Sequence, residues 1–430
     1  MSLFYVLCLI LILGIYYTLA IKRITPISIF LMLTVLYASG PIFFESLDYS
    51  FYNQVIYRYR VFDDSIYLDV MVIISLICAL LFLFDIMFMR QLKGLKSIIG
   101  DLKNIDYPCK RSMCYFYFLM SLTCFFISIY GVYVFGLEKF LYGYRDSTLN
   151  MAEEMNHSSG WSLYTNGAML FYMFSISFYL SIGRADRVIK NLHIFLIMLF
   201  VVFNLLAGAR LITLVGLIGI FLSFNCLIVK INWRFLFGGT LFLLVFLSIG
   251  VFRGGGNGAG LLYSFLEFPF VGFGLYNIYE KKSLFDTHII DMLVDAFIFM
   301  SPAYLVDKSG INRTGIIRNY FPDNSYISPI GGNFYVTDIY LYCGVFGLFV
   351  FILMFLLPLL LSFFISKMKV VNNYFIISYC SLIWISTYGF FWLLRNQLIV
   401  GASMVSKIMF ISIFLFIVAK ALDRLSGSRK

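Results

Sequence analysis

Apolar runs of about twenty residues recur along the chain, each closed by a short polar or basic segment. They fall near residues 3–21, 27–44, 66–88, 113–135, 161–182, 192–208, 211–229, 235–252, 337–366, 374–394 and 403–421. A helix rises about 1.5 Å per residue and the hydrocarbon layer is about 30 Å thick, so runs of this length fit membrane-crossing helices. Barrel strands would be shorter and would alternate apolar with polar positions. In hydrocarbon every backbone N–H and C=O has to be satisfied inside the segment, which a helix achieves alone. The pattern predicts an all-α polytopic membrane protein of about eleven spans. It divides into an N-terminal bundle of about eight spans (1–252), a long polar and aromatic loop (253–336) and a C-terminal bundle of about three (337–430).

The long loop opens with RGGGNGAG, where Gly supplies backbone freedom close to the membrane face. Residues 261–279 are apolar and aromatic but broken by Glu267, Pro269, Gly272 and Gly274, and residues 289–306 carry Asp291 and Asp295 four apart. Both stretches suit interfacial or re-entrant helices. Two further full crossings, thirteen spans in all, would preserve the same charge pattern.

Composition agrees with the pattern. Sixty-one per cent of residues are hydrophobic, only 13% are charged and the mean hydropathy is +0.92, which excludes a soluble globular domain. Basic residues set the orientation, because loops rich in Lys and Arg stay in the cytoplasm. With the N-terminus outside and the C-terminus inside, most Lys and Arg fall in short inner segments, from Lys22 and Arg23 to Arg429 and Lys430. Most acids, among them Glu45, Asp63, Asp64, Glu153, Glu154 and Asp286, fall outside. The net charge of +10 is thus explained by topology and anionic inner-leaflet lipid, and does not call for nucleic acid. The first span ends at Lys22 and Arg23 without a small-residue cleavage site, unlike a secretory signal. Between Arg90 and Lys103, Leu92, Leu95, Ile98, Ile99 and Leu102 alternate with lysines at helical spacing, which predicts a short helix lying on the inner membrane surface. The eight cysteines, none in an outer loop, form no metal-ligand pattern and no disulfide framework.

Basic residues at outer boundaries run against the charge rule and so mark candidate chemistry. Arg210, Arg253 and Arg395 are three of these. A planar guanidinium grips phosphate oxygens bidentately and stays charged at any pH, although an interfacial Arg also serves by snorkelling to lipid headgroups. Arg313 and Arg318 add two more in INRTGIIRNYFPDNSYISPIGG. For proton transfer the outer candidates are Glu267, Asp286, His288, Asp291, Asp295 and Asp338. Glu267 and Asp338 are flanked by apolar and aromatic residues, and desolvation there makes a carboxylate a better base. His288 stands between Asp286 and Asp291, where a carboxylate can orient its ring. The loop tyrosines, including Tyr276, Tyr279 and Tyr335, exceed what aromatic belts require and suit the apolar faces of sugars. The nucleotide-binding and hydrolase motifs GxSxG, HExxH, Walker A and GxGxxG find no supporting context.

Three local features resemble the Wzy-type O-antigen polymerases, which join oligosaccharide repeat units of bacterial surface polysaccharide. They are the GAR turn ending at Arg210, the long outer loop with spaced arginines, and GGNFYVTDIYLYCGVFG at 331–347. An Arg-x10-Gly pattern of some relatives is not found in the outer loops; twelve residues separate Arg318 from Gly331. The resemblance implies a GT-C-like fold in the bacterial inner membrane, with its active face periplasmic. It implies inverting transfer between undecaprenyl-diphosphate-linked donor and acceptor glycans, with no cofactor and no metal, and a chain-length regulator as a further partner. On that basis Arg210, Arg253 and Arg318 hold the diphosphate, and Arg313 and Arg395 position substrate. Glu267 or Asp338 takes the proton, with His288 as the alternative. An O-antigen ligase or a lipid-linked oligosaccharide flippase are the competing expectations.

Overall fold

The computed structural model describes residues 23–40, 63–102, 108–142, 159–181, 187–206, 210–225, 227–230, 272, 274–280, 334–344, 347–368, 372–390 and 398–427, with single positions at 232, 237, 290 and 294. These are almost entirely helical, as the apolar pattern predicts. A two-residue strand β1 (Arg23–Ile24) precedes α1 (Pro26–Ala38), α2 (Asp64–Leu102), α3 (Pro108–Phe135), α4 (Leu137–Tyr142), α5 (Ser159–Ser181), α6 (Arg187–Leu206) and α7 (Arg210–Phe224). Strand β2 (Val229–Lys230) follows, then α8 (Tyr335–Cys343), α9 (Gly347–Lys367), α10 (Asn373–Trp384), a π-helical turn (Ile385–Gly389) and α11 (Leu398–Gly427). Among the described residues, four helical stretches are long and apolar enough to cross a membrane: Asp64–Lys93, Arg111–Phe135, Val188–Leu205 and Met404–Leu425. Each turns a wide apolar face outward; Phe195, Phe410 and Ile417, for example, are exposed, as lipid-facing side chains would be. The span expected near 3–21 lies outside the described residues, as does that near 235–252 apart from position 237.

The tightest pair is α3 with α5, which run antiparallel and meet at glycines. A Cβ added to Gly160 would stand 2.5 Å from Phe135 N, and one added to Gly167 would stand 2.9 Å from Ser128 N. One added to Gly131 would stand 2.4 Å from Tyr164 N and 2.8 Å from Gly160 O. Without a hydrophobic drive between helices in lipid, close backbone approach of this kind supplies the association energy. Helices α1 and α2 are also antiparallel. Thr25 caps α1 with a reciprocal box to Ser28, and its hydroxyl bonds Asp85 Oδ1 of α2. β1 pairs antiparallel with β2, setting Arg23 opposite Lys230. Two segments expected on one side of the membrane therefore lie side by side.

Two expectations are corrected. The inner surface helix over 90–103 is not separate: α2 continues unbroken from Asp64 to Leu102, and Leu92 and Leu95 are buried. Beside them, Gln91 accepts a hydrogen bond from Ser362 of α9, so this part of the stripe packs on protein. The single span expected over 337–366 is two helices. Gly344 closes α8 at φ 56°, ψ −140°, a conformation that side chains rarely adopt, and α9 restarts at Gly347. Gly347 lies directly against Ile339, so the chain folds back on α8 where a Cβ would not fit.

Candidate functional site

Helix α7 begins at Arg210, and a chain of hydrogen bonds across three helices ends one turn into it. The Tyr164 hydroxyl of α5 donates to Asn204 Oδ1 of α6 over 2.6 Å. Asn204 Nδ2 donates to the Tyr172 hydroxyl of α5 over 3.3 Å, and that hydroxyl is in turn hydrogen-bonded to Thr213 of α7. All four side chains are buried. The Tyr172 ring lies flat against Gly216, so the absence of a side chain there is what lets α7 close on α5. Polar groups in a membrane bundle are costly unless paired, and this chain pairs them while fixing the height of the Arg210 helix against its neighbours.

A second group of irregular backbone lies next to it. The π-helical turn Ile385–Gly389 packs Thr387 against Gly219 of α7, and Tyr388 comes within electrostatic reach of Tyr172. The hydroxyls of Ser386 and Tyr388 are buried and have no hydrogen-bond partner among the described residues. Single π turns inside α-helices recur at functional sites, because the extra residue re-aims side chains. Phe390, just beyond the turn, packs at a tilt against Phe30 of α1 and Phe355 of α9, at 5.6 and 4.8 Å between ring centres.

Phe30 links this layer to α8. Its ring contacts Tyr335 at 5.1 Å, and the Tyr335 hydroxyl shares a hydrogen bond with Thr34 at 3.1 Å. One turn on from Tyr335 is Asp338, 3% exposed in the first turn of α8, where the helix dipole favours a carboxylate. Asp338 thus heads a half-length helix that ends at a break, and broken helices inside a membrane are tolerated where they are enclosed by protein or line a polar cavity.

Residues 274–280 of the long loop contact α1, α2 and α8. The Tyr276 hydroxyl donates to Ala38 O at the end of α1 over 2.9 Å, and its ring meets Tyr67 of α2. The Tyr279 hydroxyl donates to Asp69 Oδ2 of α2 over 2.5 Å, and its ring stacks on Tyr340 of α8 at 5.3 Å. The hydrogen bond to the Asp69 carboxylate, with burial second, pushes the Tyr279 phenol up to about 12.

Of the residues singled out from sequence, Asp338 is buried at the head of α8, and Arg210 is the first residue of α7. Arg253, Glu267, His288, Arg313, Arg318 and Arg395 lie outside the described residues. The helices that carry Asp338 and Arg210 are linked through described contacts: α8 contacts α1, α1 contacts the π turn, and the π turn contacts α7. Sequence reasoning missed Asn204, Tyr172 and Tyr388. Asn204 carried a usable signal, being a lone amide within an apolar run, whereas the tyrosines are indistinguishable from the chain's many others.

No protein-family model, no curated protein and no solved structure matches the chain.

Proposed function

We propose that this chain is an integral-membrane glycosyltransferase that polymerises undecaprenyl-diphosphate-linked oligosaccharide repeat units into surface polysaccharide at the periplasmic face of the bacterial inner membrane. The observation that carries the reading is Asp338: a carboxylate buried in the first turn of a broken apolar span, in a bundle where an arginine opens another helix. An acceptor hydroxyl attacks the anomeric carbon of the donor from the face opposite the diphosphate. Its proton passes to a carboxylate, Asp338 or Glu267, with His288 the alternative. The new glycosidic C–O bond forms as the bond to the diphosphate breaks, and the electron pair leaves on undecaprenyl diphosphate. Arg210, Arg253 and Arg318 neutralise the charge that develops on the leaving oxygen, while Arg313 and Arg395 orient the glycans. The leaving group is already activated, so the reaction draws on no nucleotide.

The test is a lipopolysaccharide gel of the source strain with this gene deleted, beside a complemented control. The expected result is core bearing one repeat unit and no ladder. Core with no repeat points instead to ligation, flipping or an earlier step, and an unchanged ladder removes the chain from this pathway. Complementation with Arg210→Lys separates bidentate phosphate binding from simple charge: a full ladder at equal protein level would remove the bidentate role.

A further inference from the structure

Three separate segments converge where the long loop meets the bundle: Asp69 from α2, Tyr279 from the loop and Tyr340 from α8. The two phenol rings are stacked at 5.3 Å with 30° between their planes. Both are half-buried, so part of each ring remains open, and Asp69 is exposed. The carboxylate accepts the Tyr279 hydroxyl at 2.5 Å and also lies within electrostatic reach of the Tyr340 hydroxyl.

This is not how a membrane-interface tyrosine is usually held. Belt tyrosines present the hydroxyl to water and headgroups, whereas here it is spent on a carboxylate from another helix. An exposed carboxylate repels phosphate, so the cluster is ill suited to a lipid headgroup or to the diphosphate of a carrier. It is well suited to a neutral ligand with an apolar face and a rim of hydroxyls. Stacked rings offer C–H-binding faces, and a carboxylate makes charge-assisted hydrogen bonds to neighbouring hydroxyls.

We propose that Tyr279, Tyr340 and Asp69 form a binding subsite for a neutral sugar ring of the glycan. The proposal rests on the polymerase reading for the identity of that glycan and deepens it by dividing the substrate: anionic diphosphate to arginines, uncharged sugar to the tyrosine–carboxylate cluster. Tyr340 follows Asp338 by two residues, about 200° around the axis, so the subsite and the proposed base stand on different faces of the same short helix α8.

The experiment uses the full chain in lipid nanodiscs. The probe is the repeat-unit oligosaccharide released by mild acid from the source strain's carrier lipid, with Kd measured by calorimetry or saturation-transfer NMR. Tyr340→Ala and Asp69→Asn are expected to weaken binding about tenfold or more, the loss of one charge-assisted hydrogen bond or one stacking face. Tyr340→Phe, which keeps the stack, is expected to bind close to the unmodified chain. Tyr133→Ala, at an 80% exposed position on α3, should change nothing. Equal affinity in Asp69→Asn and Tyr340→Ala would overturn the subsite, as would no binding by the unmodified chain. The deletion gel decides the polymerase reading separately: binding that follows the cluster while the ladder is unchanged would keep a sugar site and discard the polymerase.

Discussion

Tyr164 and Asn204, forty residues apart on neighbouring helices, are joined at 2.6 Å, and the amide passes the contact on to Tyr172 and so to Thr213. The donor of each bond is the acceptor of the one before it as far as Tyr172, which makes the chain directional as well as continuous. Its last member lies three residues beyond Arg210. Replacing Asn204 with Leu leaves both tyrosine hydroxyls buried without the amide. The expected cost is about 1–3 kcal/mol, because two polar groups lose a partner at once. Tyr172→Phe keeps the ring against Gly216 and is expected to cost about 1 kcal/mol. Thermal unfolding in detergent, followed by the fraction surviving size exclusion, ranks the two; a more stable Asn204→Leu protein would show that the chain of bonds is not holding these helices.

Close approach of α3 and α5 makes a second prediction. A methyl on Gly131 would enter the backbone of Tyr164 and Gly160, and these atoms cannot move aside as a side chain can. Gly131→Ala is therefore expected to destabilise by about 1–3 kcal/mol, and Gly131→Leu to abolish folded protein. Gly389→Ala is the comparison: its nearest neighbour is a Val405 methyl at 3.3 Å, which can shift, so the effect should be small. Both are read from the same heating curve.

At the other end of the bundle, Thr25 caps α1 and donates to Asp85, a carboxylate buried inside α2. Thr25→Ala removes the cap and the tie between helices together, with an expected cost of about 1–2 kcal/mol. Asp85→Asn should be milder, since an amide oxygen still accepts the threonine proton. A larger loss from Asp85→Asn than from Thr25→Ala would mean that the negative charge itself, set near the start of α1, supplies most of the stabilisation.

Helices were legible because lipid imposes one simple demand, an apolar surface about twenty residues long, and the sequence meets it visibly. Breaks within helices were not. Gly344 sits in an apolar run that reads as continuous, and its left-handed backbone becomes visible only when α9 is seen folding back over Ile339. The same holds for the π turn at Ile385–Gly389, which keeps helical periodicity to within one residue. The extension of α2 past Arg90 was misread for a different reason: an amphipathic stripe fits a membrane surface and a protein groove equally well, and here Leu92 and Leu95 of the stripe are buried in the core. The burial of Asp338 was legible in its apolar and aromatic flanks. Tyr164 and Tyr172 were not, since a tyrosine bonded across helices and one facing lipid have the same sequence signature.

Asp338 gives the sharpest functional prediction. If it takes the acceptor proton, Asp338→Asn retains the shape and most hydrogen bonding of the side chain but cannot act as a base. General-base removal lowers rates by about 10²–10⁴-fold, enough to erase a ladder in cells while leaving core with one repeat unit. Because an amide is nearly isosteric, the variant should reach the unmodified protein's level in membranes, and its heating curve should shift little. A full ladder from Asp338→Asn at equal protein level would remove this residue as the base and pass the role to Glu267 or His288, each testable by its own Gln substitution. A lost ladder with lost protein would instead assign Asp338 a structural part at the head of the broken helix. The stability measurement is what separates these two outcomes, and it belongs in the same experiment.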